Sequence, residues 1–352
     1  MPNGGEATVL VDTMLAAVYQ GARMVSVEQL PVPPVEEEQV LIQVSHCGIC
    51  GSDLHFMVEG WARPGTVHGH EYSGVIVDVG AGVSSWAVGD RVVGGPSRGC
   101  GSCVPCRRGD TNLCLARERV GMSSYQGAFA GYKALDAGQV HRVPGGLDLR
   151  TAALAEPLAV ALRGVRRSAI APGGRALITG GGPIGLLTAA VLRANGVDDV
   201  TVSEPGDHRR ALALDAGATT TVTPDALVEP ALPMDVVDEP FDVAIECSGR
   251  ADAMEAALGQ LGRGGRLVLS GTGLVRPRYD PHRIILNELV VTGSFEYDAA
   301  DFEAAVALLA EGRLPTDRLI EPHDVSLSGM QDAMAQLVAG ELAGKVMVVP
   351  SA

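Results

Sequence analysis

The chain has no apolar run that reaches the roughly 18 residues a membrane-spanning helix requires. It also has no run of five or more basic residues, and its 27 Lys and Arg are outnumbered by 42 Asp and Glu, for a formal charge of −15. Such a surface repels anions, so neither nucleic acid nor an anionic membrane is expected as a partner. Near the N-terminus, Glu6 and Asp12 stand where a secretory signal would carry Lys or Arg. A cytoplasmic protein is therefore expected. Low-complexity tracts and repeats at solenoid periods are missing too. What remains is a chain of 352 residues, 46% of them apolar. At about 100 to 200 residues per domain, that composition fills two cores. Residues 1–13 precede the first strand-like pattern and read as a loose extension.

Seven cysteines in a reducing compartment suit metal binding better than disulfides. Four of them, Cys100, Cys103, Cys106 and Cys114, share one short stretch with Gly, Ser and Pro between them. Each two-residue gap forms a tight turn with both thiolates inward, so the set wraps one tetrahedral ion in a closed, structural zinc site. An iron–sulfur cluster is the lesser reading, because such a run more typically ends in a three-residue gap.

A second constellation runs from Cys47 to Glu71, CGICGSDLH followed by HGHEY. Cys50 and His70 are residue types that bind zinc, and Ser52, Asp53, His55 and Glu71 surround them with groups that accept, relay or orient protons. His46 and His68 read as structural, Cys47 and Cys247 as core.

From Met14 to about Leu158 the runs are short and β-rich, as in a barrel or sandwich. From Ala159 strand-like and helix-like runs alternate, and six strands with helical crossovers predict a doubly wound parallel sheet, hence an α/β fold. Its first turn, Gly180-Gly181-Gly182-Pro183-Ile184-Gly185, fits the dinucleotide fingerprint, and Glu204 closes the second strand. Gly180 permits the turn, Gly182 admits a pyrophosphate, and Gly185 lets the helix approach the sheet. Glu204 would bind ribose hydroxyls and repel a 2′-phosphate, which favours NAD over NADP; Arg209 tempers that preference. Helical periodicity returns after about Glu296 and ends in a last strand, KVMVVP, so the first domain reads as interrupted by the nucleotide domain.

CGICGSDLH, GHEYSG, the four-cysteine lobe, AEPLAVALRG, GGGPIG and GKVMVVP together resemble the zinc-containing medium-chain dehydrogenases, closest to the sorbitol, threonine and butanediol branch. The resemblance implies a GroES-like catalytic domain over 1–157 and 297–352, with a zinc lobe at about 96–115, and a Rossmann domain inserted at 158–296. It implies two zinc ions per chain, one catalytic and one structural, and an NAD-dependent dehydrogenase acting on a secondary alcohol or polyol. In such enzymes the alcohol binds the catalytic zinc as an alkoxide and passes a hydride to nicotinamide. Cys50 and His70 would be ligands, and both Glu71 and Glu156 match carboxylate positions of this branch. Ser52 and His55 would relay the proton, and Asp53 would orient His70. Gly51 departs from simple alcohol dehydrogenases, which often carry a basic residue there. Phe56 and Trp61 would line an apolar substrate wall. A homodimer or homotetramer is implied, with 289–295 pairing across a two-fold axis. The competing readings are an NADPH-dependent quinone or enone reductase and a dinucleotide-binding protein without turnover.

Overall fold

Alternating apolar and polar residues, rich in Val and bounded by Gly and Pro, form seven strands among the described residues of the first part of the chain. They are β1 (Thr13–Gly21), β2 (Met24–Pro31), β3 (Gln39–Gly48), β4 (Glu71–Val79), β5 (Arg91–Gly94), β6 (Tyr132–Asp136) and β7 (Val140–Arg142). Six follow as β8 (Arg175–Thr179), β9 (Asp199–Ser203), β10 (Thr220–Val222), β11 (Phe241–Glu246), β12 (Leu261–Leu269) and β13 (Val290–Gly293). Two short ones, β14 (Val325–Ser326) and β15 (Met347–Val349), close the chain. The computed structural model describes residues 11–351 apart from 59, 61, 96–98 and 117–125. The loose extension expected at residues 1–13 therefore falls mostly outside the described residues, and β1 already begins at Thr13.

The strands make three sheets. β1 and β2 form a hairpin that meets the rest through the bridges Ala16↔Ala130 and Val18↔Val67. The second sheet runs β14-β15-β3-β4-β5-β7, with β6 also on β3. Its members come from both ends of the chain. The third sheet runs β10-β9-β8-β11-β12-β13, parallel throughout. From β8 the chain moves outward through β9 and β10, then returns to the other side of β8. That reversal opens a crevice at the carboxyl ends of β8 and β11, where such sheets take ligands.

The helix Ala155–Ser168 packs on both β4 and the parallel strands β11 and β12, so one element joins the two large sheets. It begins before Ala159, where the sequence pattern puts the change of period. Pro157 is tolerated because it stands in the first turn, where its missing N–H has no intrahelical acceptor to lose. A second boundary shifts as well. The helical run DAMEAALGQLG ends at Gly259, and β12 starts at Leu261, because Gly262, Gly264 and Gly265 cannot sustain a helix. No helix among the described residues is long and apolar enough to cross a membrane.

Candidate active site

Register explains how distant residues meet. In the antiparallel pairing of β3 with β4, Gly48 lies opposite Glu71, and in that of β15 with β3, Met347 lies opposite Gly48. Cys50 follows β3 by two residues, His70 precedes β4 by one, and Lys345 precedes β15 by two. All of them consequently collect at one end of three neighbouring strands. Cys50, His70 and Glu71 each bring a ligand atom to within 4.8 Å of the others.

Glu71 is fully buried, and its Oε1 accepts a 2.6 Å hydrogen bond from the Nζ of Lys345. Lys345 is itself 2% exposed and also donates to the carbonyl of Ile49. Burial works against the lysine's charge, but Glu71 and Cys50 more than offset it and raise its pKa. Gly48 makes room for the pair: a Cβ there would lie 2.2 Å from Glu71 Oε2. That Oε2 is buried with no hydrogen-bond partner among the described residues. A buried, half-satisfied carboxylate is costly in an apo protein and is what a cation would complete.

Glu156, in the first turn of its helix, borders this group. Burial raises its carboxyl to about 7, against the opposing pull of His70, while the nearby Glu71 adds to the rise. Tyr297 lies beside it and favours its carboxylate. His70 is raised well above its ordinary value; burial opposes the imidazolium, and Asp53 and Cys50 overcome that. Asp53 departs from its expected role. His70 Nδ1 and Asp53 Oδ1 are 3.7 Å apart, beyond a hydrogen bond, and Asp53 Oδ2 instead accepts from the backbone N–H of Cys50 at 2.9 Å. Its carboxylate therefore fixes the peptide that carries the thiol.

Thiolate, imidazole and carboxylate form a donor set suited to zinc, and three protein ligands leave a position open. Ser52 and His55 lie three apart on the helix Gly51–Val58, on one face. Phe56 packs against the His68 ring in a tilted arrangement, with centroids 5.2 Å apart. Trp61 lies outside the described residues. His68 shares a 3.0 Å hydrogen bond with Thr66, and His46 pairs with Asp324, both as structural contacts. Cys47 is fully buried, and Cys247 faces Thr188.

The glycine turn has the geometry the sequence asks for. Gly180 has φ +101°, and a Cβ at Gly185 would lie 1.9 Å from the Gly180 carbonyl. At Gly182, the N-cap of the helix Pro183–Ala194, a Cβ would meet nothing within 4 Å, so Gly182 opens onto free space, with Pro183 and Ile184 half-buried beside it. Glu204 accepts from the N–H groups of Gly181 at 2.8 Å and Gly206 at 3.0 Å. Arg209 donates to the carbonyls of Leu342 and Leu337, beside the helix Met330–Ala339.

In the lobe, Cys100, Cys103, Cys106 and Cys114 bring their sulfurs within 4.8 Å of one another. The N–H of Cys103 donates to Cys100 Sγ, and that of Cys100 to Cys114 Sγ. Hydrogen bonds led by the Ser102 hydroxyl pull the Cys100 thiol down to about 6. Donors aimed at sulfur favour thiolates, the form that binds metal. Pro96, the predicted start of the lobe, lies outside the described residues.

Sequence reasoning missed Lys345, Tyr297 and Gly48. A lone lysine opening an otherwise apolar strand, KVMVVP, was the available signal for the first.

Residues 36–145 match the family model described as alcohol dehydrogenase GroES-like domain, and residues 183–311 match that of the zinc-binding dehydrogenases. The chain is 35% identical to 2-dehydro-3-deoxy-L-galactonate 5-dehydrogenase of Pseudoalteromonas atlantica, over 91% of its own length and 93% of that protein's. It is 34% identical to sorbitol dehydrogenase of Bacillus subtilis, over 96% and 98%. Among solved structures, a zinc-binding dehydrogenase of Sinorhizobium meliloti bound to NADP superposes with a TM-score of 0.86 at 33% identity, covering 96% of this chain and 99% of that one.

Proposed function

The chain belongs to the zinc-containing medium-chain alcohol dehydrogenases, and from that premise we propose that it interconverts a secondary alcohol or polyol and the matching ketone, with NAD as hydride acceptor. The observation that carries this reading is the group of Cys50, His70 and the buried Glu71 at the common end of β15, β3 and β4. These three residues would hold the catalytic zinc, with Glu71 rather than Glu156 as the carboxylate ligand. Zinc in that place supplies Lewis acidity toward a hydroxyl or carbonyl oxygen. The four lobe cysteines would hold the structural ion.

The remaining roles fall to the chain's own side chains. Ser52 would take the substrate's hydroxyl proton, and His55, one helical turn on, would pass it toward solvent. Glu156, with its carboxyl near 7 and its Tyr297 partner, would orient substrate hydroxyls. Gly180 to Gly185 would cradle the pyrophosphate at a helix N-terminus. Glu204, fixed by two backbone N–H groups, would receive the ribose and oppose a 2′-phosphate, while Arg209 is engaged by the carbonyls of Leu337 and Leu342. That supports NAD over NADP. Sheet membership supports division into 1–157 with 297–352 and 158–296. β13 is an edge strand with Val290 and Phe295 exposed nearby, which supports pairing of two copies along it.

The test is a cofactor-reduction screen over alcohols and polyols with NAD and NADP in parallel. Ser52→Ala should lower turnover on the best substrate by about 10²- to 10⁴-fold. An unchanged rate removes Ser52 from the reaction, and a higher kcat/KM with NADP overturns the cofactor assignment.

A further inference from the structure

The helix that carries Glu156 ends at Ser168, and its last turns grip a second segment. Arg163 and Arg166 bind Asp298 and Asp301, which also form a reciprocal capping box at the start of the helix Ala299–Ala310. Just before the cap stands Tyr297. It is 5% exposed, stacks on Phe302 with ring centroids 5.5 Å apart, and lies beside the Glu156 carboxyl. The downstream side of Tyr297 is thus fixed from the Glu156 helix.

The upstream side is fixed from elsewhere. Glu296 has φ +49°, a left-handed conformation that a non-glycine residue keeps only where its surroundings over-determine it. Ser294 N–H bonds the Leu269 carbonyl and ends the sheet ladder. The next carbonyl, that of Phe295, accepts a 2.8 Å hydrogen bond from Asn112 Nδ2. Asn112 lies between Cys106 and Cys114, in the single turn Thr111–Leu113, and is 5% exposed although the lobe around it is largely open to solvent. Asn112 thereby ties the cysteine lobe to a backbone carbonyl far along the chain.

We propose that Asn112 is a positioning residue through which the ordered four-cysteine lobe fixes the Phe295–Tyr297 segment, and so the Tyr297–Glu156 pair beside the candidate catalytic metal group. The lobe becomes a condition for the active arrangement as well as a local staple. Its order rests on its four thiolates, and Asn112 transmits that order as one buried hydrogen bond at the residue preceding a strained backbone. The catalytic consequence rests on the function proposed above; the structural linkage does not.

The experiment measures hydrogen exchange of the amides of residues 294–298 in zinc-loaded full-length protein and in Asn112→Ala. Exchange there should quicken about 3- to 10-fold, the scale of one neutral hydrogen bond, with β8 and β11 unchanged. In the same variant kcat should fall by a similar factor with the KM for cofactor unmoved. That loss should vanish when Asn112→Ala is made in a Tyr297→Phe background. Unchanged exchange, faster exchange across the whole protein, or losses that simply add with Tyr297→Phe each overturn the proposal. Should Asn112→Ala fail to accumulate folded, Cys103→Ser opens the lobe without touching Asn112. Faster exchange at 294–298 then supports the linkage, and unaltered exchange overturns it. If exchange responds as expected while no alcohol is oxidised, the positional linkage stands and the proposed function fails.

Discussion

The Cys100–Cys114 cluster takes its four donors from one stretch of chain, whereas the Cys50–His70–Glu71 cluster is assembled by the register of three strands. The first is partly open to solvent and made of one residue type; the second joins half-buried Cys50 and His70 to a fully buried Glu71, is mixed in chemistry and is balanced by Lys345. A closed set of thiolates organises a segment that has little apolar core of its own. A mixed set in a preformed pocket does the opposite: the fold holds the ligands, and one coordination position stays open for chemistry. On the proposed function, the contrast would separate a metal that makes structure from a metal that uses it.

Removing one ligand from each side should show the largest difference. Structural zinc contributes an apparent binding free energy of about 10 to 16 kcal/mol in small peptides. If both clusters hold zinc as proposed, Cys103→Ser should cut it from two equivalents per chain to one and expose the lobe to proteolysis. His70→Ala should also leave one equivalent, yet keep the lobe protected while turnover drops by about 10³-fold or more. Elemental analysis with limited proteolysis reads both. A His70 variant with an open lobe would abolish the distinction.

Lys345 allows the second side to be broken without touching a proposed ligand. Lys345→Met leaves Glu71 charged and fully buried without its 2.6 Å partner. Breaking a buried ion pair in this way costs about 3 to 5 kcal/mol. Denaturant unfolding of metal-free protein should show that loss, and adding Glu71→Gln should recover most of it. No recovery would mean that Lys345 acts through packing of its stem and not through its charge.

The two clusters also differ in how far the sequence discloses them. The thiol spacing of the lobe is a local property, so its donors can be read directly from 100–114. The parallel sheet is equally open, since its strands and helices alternate and Gly180, Gly182 and Gly185 punctuate the turn. Cys50 and His70 are legible as residue types, but their meeting depends on Gly48 lying opposite Glu71, and register is not written in either strand alone. Lys345 is hidden for the same reason, because only the pairing of β15 with β3 brings it to Glu71. The Asp53 carboxylate was expected on the His70 ring and lies on the Cys50 peptide instead; a carboxylate three residues past a backbone N–H can serve either, and only coordinates choose. Glu156 stood open between ligand and helix flank until Tyr297 and the burial of its helix gave it a setting.

Glu156 yields the smallest and most specific effect, and it sharpens the contrast because a buried carboxyl is a property of the preformed pocket alone. Its carboxyl titrates near 7 in the folded metal-free chain against an ordinary value of 4.5. Below about pH 4.5 folded and unfolded chains both hold the proton, and no penalty exists. As pH rises from there, the unfolded chain releases its proton first; the native state then binds more protons, and stability falls until about pH 7. At about 1.4 kcal/mol per pKa unit the full penalty is about 3 kcal/mol. Glu156→Gln keeps the size of the side chain beside Tyr297 and removes the charge. Metal-free Glu156→Gln should match the parent below about pH 4 and exceed it above about pH 7 by up to about 3 kcal/mol, as read by urea unfolding across that range. Loading zinc should shrink the gain, because a bound cation beside Glu156 favours its carboxylate. A stability difference that does not change with pH would show that Glu156 titrates as an exposed acid, and that the pocket is wetter than its burial implies.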